Sequence, residues 1–78
     1  MNSEPLRLAA VRALAADGSA RRIRQAARLS LAEVGNACGV DQSTVYRWET
    51  GKRAPRGTPA IRYGALLNAL SRADDGAS

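Results

Sequence analysis

The sequence has no histidine and no phenylalanine, and only one cysteine, one tryptophan and two tyrosines in 78 residues. Without histidine, the commonest general base and transition-metal ligand is missing. A lone Cys38 can neither close an internal disulfide nor supply a thiolate zinc set. It reads as a small apolar core residue, and it fits a reducing cytosol. No apolar run approaches the length of a membrane span, and no signal-peptide pattern is present. The few acids of the central stretch, Glu33, Asp41 and Glu49, all have structural uses in caps or pairs. The glycines at 51 and 57 flank basic residues, but they lack a preceding strand and the spacing of a nucleotide-binding loop. These absences argue against an enzyme, a metal site, a cofactor, a membrane protein or a small-molecule receptor.

Hydrophobic residues make up 45 % of the chain. Much of that is alanine, a strong helix former that buries little area. β-branched residues are sparse. The expected fold is all-α, with about five short helices around one modest core. A single domain is expected over residues 4–72, between a frayed start (1–3) and a flexible tail (73–78). The net charge is +5, and it is unevenly spread. Between Arg21 and Arg62 stand nine basic residues against three acids, while the remainder of the chain is slightly acidic. Such a concentration is the electrostatic footprint a polyanion requires.

The stretch from Leu29 to Pro55 reads as two short helices joined by a tight turn, followed by a basic loop. Ser30 and Glu33 form an S-x-x-E capping box. Leu31, Val34 and Cys38 then make an inner stripe. Gly39 ends the first helix, and Val40 packs the corner. Asp41 caps a second helix from Gln42 to Thr50, which Gly51 stops. Val45 and Trp48 point inward, leaving Gln42, Ser43, Thr44, Tyr46 and Arg47 outside. Trp48 is expected in the core.

Around this pair the periodicity predicts three more helices. Pro5 to Ala16 opens the chain, with Ser3 as N-cap. Leu6, Ala10, Ala13 and Leu14 share one face, and Leu8, Val11 and Ala15 another. Asp17-Gly18 breaks it. Ser19 caps a second helix over ARRIRQAARL, with Ile23, Ala26 and Ala27 inward. Its Arg21, Arg22 and Arg28 face out, either as a solvated surface or as phosphate contacts; Arg28 is taken as a candidate contact. Thr58 and Pro59 begin the last helix, which carries Ala60, Tyr63, Leu67 and Leu70 on one face.

Three features of the central stretch suit DNA. The major groove admits one α-helix. Gln42 and Arg47 are side-chain types that make bidentate contacts with adenine and guanine. Lys52, Arg53 and Arg56 follow in the loop, where they can meet phosphates and fix register.

From Arg24 to Leu70 the chain resembles the lambda-repressor-like helix-turn-helix family of phage repressors, Cro proteins and small bacterial regulators. The segment GVDQSTVYRWETGKRAP carries most of the likeness. The resemblance implies a bundle of about five helices that binds operator DNA, usually as a dimer. It implies base contacts from Gln42, Ser43 and Arg47, a phosphate contact from Thr44, and an ion pair between Arg24 and Glu49. Tyr46 joins the base-contact candidates, with a phosphate or the core as its alternatives. Two positions depart from the family. Leu31 replaces a phosphate-touching Gln, leaving only its backbone N–H as a donor. Gly35 replaces an Ala, which implies a less stable helix. The family's fifth helix is expected to be cut short after Leu70, with the N-terminal helix covering the core in its place.

The expected function is sequence-specific binding of double-stranded DNA by a small bacterial or phage regulator. The expected assembly is a homodimer, formed in solution or only on a near-palindromic operator. Pairing surfaces are sought around Leu66 and Leu70, or around Leu8 and Val11. The expected location is the bacterial cytosol, or the host's if the gene is a phage's. The alternatives are the DNA-binding antitoxin of a toxin–antitoxin pair and a helical protein–protein adaptor without DNA binding.

Overall fold

A computed structural model describes residues 3–76, with side chains for residues 3–73. The frayed start expected at Met1 and Asn2 and the last two residues of the expected tail lie outside the described residues. Five helices follow one another: α1 (Glu4–Ala16), α2 (Ser19–Ala26), α3 (Leu31–Cys38), α4 (Gln42–Glu49) and α5 (Gly57–Gly76). Among the described residues there is no strand.

Each helix starts and stops for a local reason. Pro5 stands in the first turn of α1, but Ser3 makes no side-chain cap there. The break after α1 turns on Gly18 at φ 89°, a left-handed conformation open to glycine without steric cost. The N-cap of α2 is Gly18, not Ser19, so the helix starts one residue earlier than a Ser19 cap would place it. The Asp17 carboxylate accepts the Ser19 N–H, the first of the helix, at 2.8 Å. α2 also ends sooner than its alanine-rich sequence predicts. Arg28 turns left-handed (φ 59°), and Ala26 and Ala27, expected inside, are exposed. In α3 the capping box is complete, with Ser30 Oγ accepting from Glu33 N–H at 3.0 Å and Glu33 Oε1 from Ser30 N–H at 2.9 Å.

α5 departs most from expectation. Instead of stopping near Leu70 it runs 20 residues to Gly76. Residues 73–76, expected in a flexible tail, continue the helix. Ser71, Arg72, Ala73, Asp74 and Asp75 include neither Gly nor Pro, so nothing interrupts propagation before Gly76.

The core lies between α5 and the other four helices. It holds Val11 and Ala15 of α1, Ala20 of α2, Val34 and Cys38 of α3, Val45 and Trp48 of α4, and Ala60, Tyr63 and Leu67 of α5. Trp48 and Tyr63 meet as tilted rings with centroids 4.7 Å apart. The face of α1 that packs is the one bearing Leu8, Val11 and Ala15; Leu6, on the other, is 73 % exposed. The N-terminal helix therefore covers the core.

Candidate nucleic-acid interface

α3 and α4 form a helix-turn-helix drawn unusually close at the turn. Gly35 of α3 is buried, and a Cβ built on it would stand 2.7 Å from the Val40 carbonyl oxygen. The Val40 N–H donates back to the Gly35 carbonyl at 2.9 Å. Gly35 is thus the point where two backbones touch. Its role is this approach, not the weakening of a helix.

α4 is held from beneath and from its first turn. Val45 and Trp48 are buried at 0 % and 3 % exposure. Asp41 accepts the Ser43 N–H at 3.2 Å and also the Ser43 hydroxyl. Those two bonds, the hydroxyl's first, hold the Asp41 carboxyl below its ordinary range. At about 100° per residue, Gln42, Tyr46, Ser43 and Arg47 span an arc about 140° wide. All four are exposed, whereas Thr44 at the edge of the arc is half-buried. The Ser43 hydroxyl proton already goes to Asp41, so toward a base Ser43 offers its oxygen as an acceptor.

The loop after α4 is fastened to it. The Lys52 and Arg53 N–H groups both donate to the Arg47 carbonyl, at 2.9 and 3.2 Å. The Lys52 ammonium lies 5.9 Å from the centroid of the Tyr46 ring, a cation–π distance. This contact holds the Lys52 ammonium over a side chain of the arc. Lys52, Arg53 and Arg56 are exposed, and among the described residues none of them, nor Arg47, forms an ion pair. The structure thus gathers Gln42, Ser43, Tyr46, Arg47, Lys52 and Arg53 on α4 and the loop joined to it. Arg28 stands apart, exposed in the turn between α2 and α3.

Arg24 and Glu49 meet beside this face. Arg24 Nε donates to Glu49 Oε2 at 2.6 Å and Nη2 to Oε1 at 2.9 Å. Arg24 Nη1 also donates to the Leu29 carbonyl at 2.9 Å. The side chains are 13 % and 3 % exposed. Hydrogen bonding to Glu49 raises the Arg24 pKa further above its ordinary value. One guanidinium therefore ties α2, the α2–α3 turn and the C-terminal end of α4 together.

One residue of the site gave no sequence signal. Arg12 of α1 donates Nε–H to the Pro55 carbonyl at 2.8 Å, across 43 positions of chain. No local spacing could have paired them.

Among the described residues, no group of acids, histidines and cysteines could hold a metal ion, and no helix is long and apolar enough to cross a membrane. The Cys38 thiol is buried, and burial pushes its pKa up. It serves as packing.

A family model described as a helix-turn-helix domain matches residues 18–75. The chain belongs to the helix-turn-helix domain family. No curated protein and no solved structure matches it. The matched stretch of this helix-turn-helix protein takes in α2 to α4, the basic loop and nearly all of α5, and it begins after α1. The family supports DNA binding, and α4 is the second helix of its motif.

Proposed function

We propose that this helix-turn-helix protein is a sequence-specific transcriptional regulator, repressor- or Cro-like in action, working in the bacterial cytosol or, for a phage gene, in the host's. One observation carries the reading: four exposed hydrogen-bonding side chains fill one arc of a capped, core-anchored helix, flanked by a loop of unpaired cations. Gln42 and Arg47 are the principal readers of base edges, with Ser43 accepting and Tyr46 giving apolar contact to a thymine methyl. Thr44, Lys52, Arg53, Arg56 and Arg28 meet phosphates. The protein is not an enzyme in this reading.

One such unit discriminates too few base pairs for a genome. We infer a homodimer on a near-palindrome, with half-site centres roughly 10 base pairs and about 34 Å apart. Of the two pairing surfaces, the one around Leu8 and Val11 keeps only Leu8 partly exposed, because Val11 is 1 % exposed. Leu66 and Leu70 of α5 stay partly exposed, which favours pairing there. An antitoxin would need a toxin-binding segment, and α1, the candidate, has turned its Leu8, Val11 and Ala15 face into its own core.

Selection of bound sequences from a random duplex pool tests the reading. Arg47→Ala is expected to cost about 1–3 kcal/mol and to relax one position in each half-site. Lys52→Ala should weaken all sequences alike and lower the salt slope by about 0.9. An unchanged selected motif for Arg47→Ala would reject α4 as the reading surface. Sedimentation on the selected duplex should give two chains per site.

A further inference from the structure

α1 lies ahead of the stretch matched as a helix-turn-helix domain, yet it reaches the candidate interface. It is seated firmly on α5. Val11 and Ala15 are buried, and Val11 packs beside Gly64, where a Cβ would stand in ordinary contact, 3.5 Å from the Val11 Cβ. From this seat Arg12 donates Nε–H to the Pro55 carbonyl. Pro55 is itself buried, and it sits between Arg53 and Arg56. The basic loop is therefore held at two places: its first half on the Arg47 carbonyl of α4, its second on Arg12 of α1. Gly51 and Gly57 bound it at φ 75° and 69°, so the loop is bracketed by backbone that turns easily.

We propose that Arg12 is a positioning residue for DNA binding. Its hydrogen bond to the Pro55 carbonyl holds the loop in the geometry at which Lys52, Arg53 and Arg56 meet phosphates. The proposal rests on the reading of that loop as a phosphate contact. A loop already fixed in its bound geometry loses less conformational freedom on binding, and a binding-competent state that is fully populated carries no population penalty. Arg12 acts through the loop and not as a contact of its own.

The donor is Nε, and this allows a separation of geometry from charge. A glutamine side-chain nitrogen stands the same number of bonds from Cα as arginine Nε, without the charge. Methionine matches the length and has no donor. Arg12 is exposed, so both variants leave the core intact, and circular dichroism checks this before binding is measured. The probe is a duplex selected by the wild-type protein, titrated at several salt concentrations. Arg12→Met is expected to weaken binding about three- to ten-fold, the worth of one hydrogen bond, equally on selected and mismatched duplexes. Its salt slope should not change. Arg12→Gln is expected to stay within about two-fold of wild type, since it keeps the bond. In a background of Lys52→Ala, Arg53→Ala and Arg56→Ala, the Arg12→Met effect should vanish, because no loop cations remain to be positioned.

Equal binding by Arg12→Met and wild type would overturn the proposal. So would an equal loss in both variants with the slope reduced by about 0.9, which would make Arg12 a phosphate contact itself. A full Arg12→Met effect in the triple background would also overturn it. The triple variant alone tests the underlying reading: if it binds as wild type, the loop is no phosphate contact, and the proposal falls with that reading rather than on Arg12.

Discussion

Breaking the Arg24–Glu49 pair should unfold more of this protein's stability than any binding-face substitution, and it should do so asymmetrically. Replacing Glu49 with Ala removes the acceptor of two bonds, at 2.6 and 2.9 Å. The guanidinium keeps its bond to the Leu29 carbonyl and is 13 % exposed, so it can turn toward water. Replacing Arg24 strands a carboxylate that is only 3 % exposed. Loss of one partner from a buried pair typically costs about 3–5 kcal/mol. Glu49→Ala should fall near the lower end of that range and Arg24→Ala near the upper. At about 0.05–0.15 kcal/mol per residue, a chain of this length has only about 4–12 kcal/mol in total. Either variant should therefore lose about a quarter or more of its stability. Replacing both residues, as Arg24→Met with Glu49→Leu, leaves no stranded charge and should recover most of the loss. Urea unfolding followed by Trp48 fluorescence and by far-ultraviolet circular dichroism compares the wild type, the two single variants and the double variant. Single variants that unfold at the wild-type midpoint would show the pair to be exposed and weak. A double variant no more stable than Arg24→Ala would refute the stranded-charge argument.

Two further outcomes follow from buried and capping groups. The Tyr63 hydroxyl is buried and has no hydrogen-bond partner among the described residues, and burial, followed by the nearby Glu49 charge, raises its pKa. Tyr63→Phe removes an unsatisfied group and should stabilise the fold by about 1–3 kcal/mol; a lower melting temperature would reveal a partner for that oxygen. Asp17, Glu33 and Asp41 each accept bonds from residues at the N-terminal end of a helix, and those bonds lower their pKa values below 3.8, 4.5 and 3.8 respectively. Carboxyls depressed in the folded state contribute stability that is complete above the unfolded values and is lost as pH falls through the folded ones. With no histidine in the chain, the urea midpoint should hold between roughly pH 7 and 5 and decline below. A midpoint that declines already across that window would contradict this assignment.

The sequence was most legible where structure is decided within one helical turn. The Ser30–Glu33 box, the Asp41 cap, the inward Val45 and Trp48 and the exposed arc of α4 all follow from spacing, because caps and stripes are local. The Arg24–Glu49 pair was legible only through the family resemblance. What spacing could not reveal depends on contacts made across the chain or on competition between neighbouring signals. Ser19 is drawn into the helix and is not its cap, because Gly18 turns left-handed at the N-cap and the Asp17 carboxylate takes the Ser19 N–H. α5 continues past Leu70 because alanine and charged residues propagate a helix as readily as a tail. The Arg12–Pro55 bond joins residues 43 positions apart and depends on how α1 sits on α5.

Gly35 shows how far the two kinds of reasoning can diverge, since they predict opposite signs for one substitution. By propensity, Gly35→Ala inside α3 should gain about 1 kcal/mol. By packing, the new Cβ stands 2.7 Å from the Val40 oxygen, where ordinary contact begins at 3.4 Å. The obstacle is backbone, not a side chain that can swing aside. Nor can the Val40 peptides retreat freely, because the Val40 N–H is bonded to the Gly35 carbonyl at 2.9 Å. Separating the atoms means opening the α3–α4 turn, and overpacking of this kind costs about 1–3 kcal/mol. The balance is a net loss of about 1 kcal/mol, or about 4–8 °C in melting temperature for a domain of this size. Opening the turn also tilts α4 against the bundle, so DNA affinity should drop although every contacting side chain is unchanged. A Gly35→Ala protein that melts higher than wild type and binds as tightly would show that the turn yields at little cost, and that propensity, not close approach, governs this position.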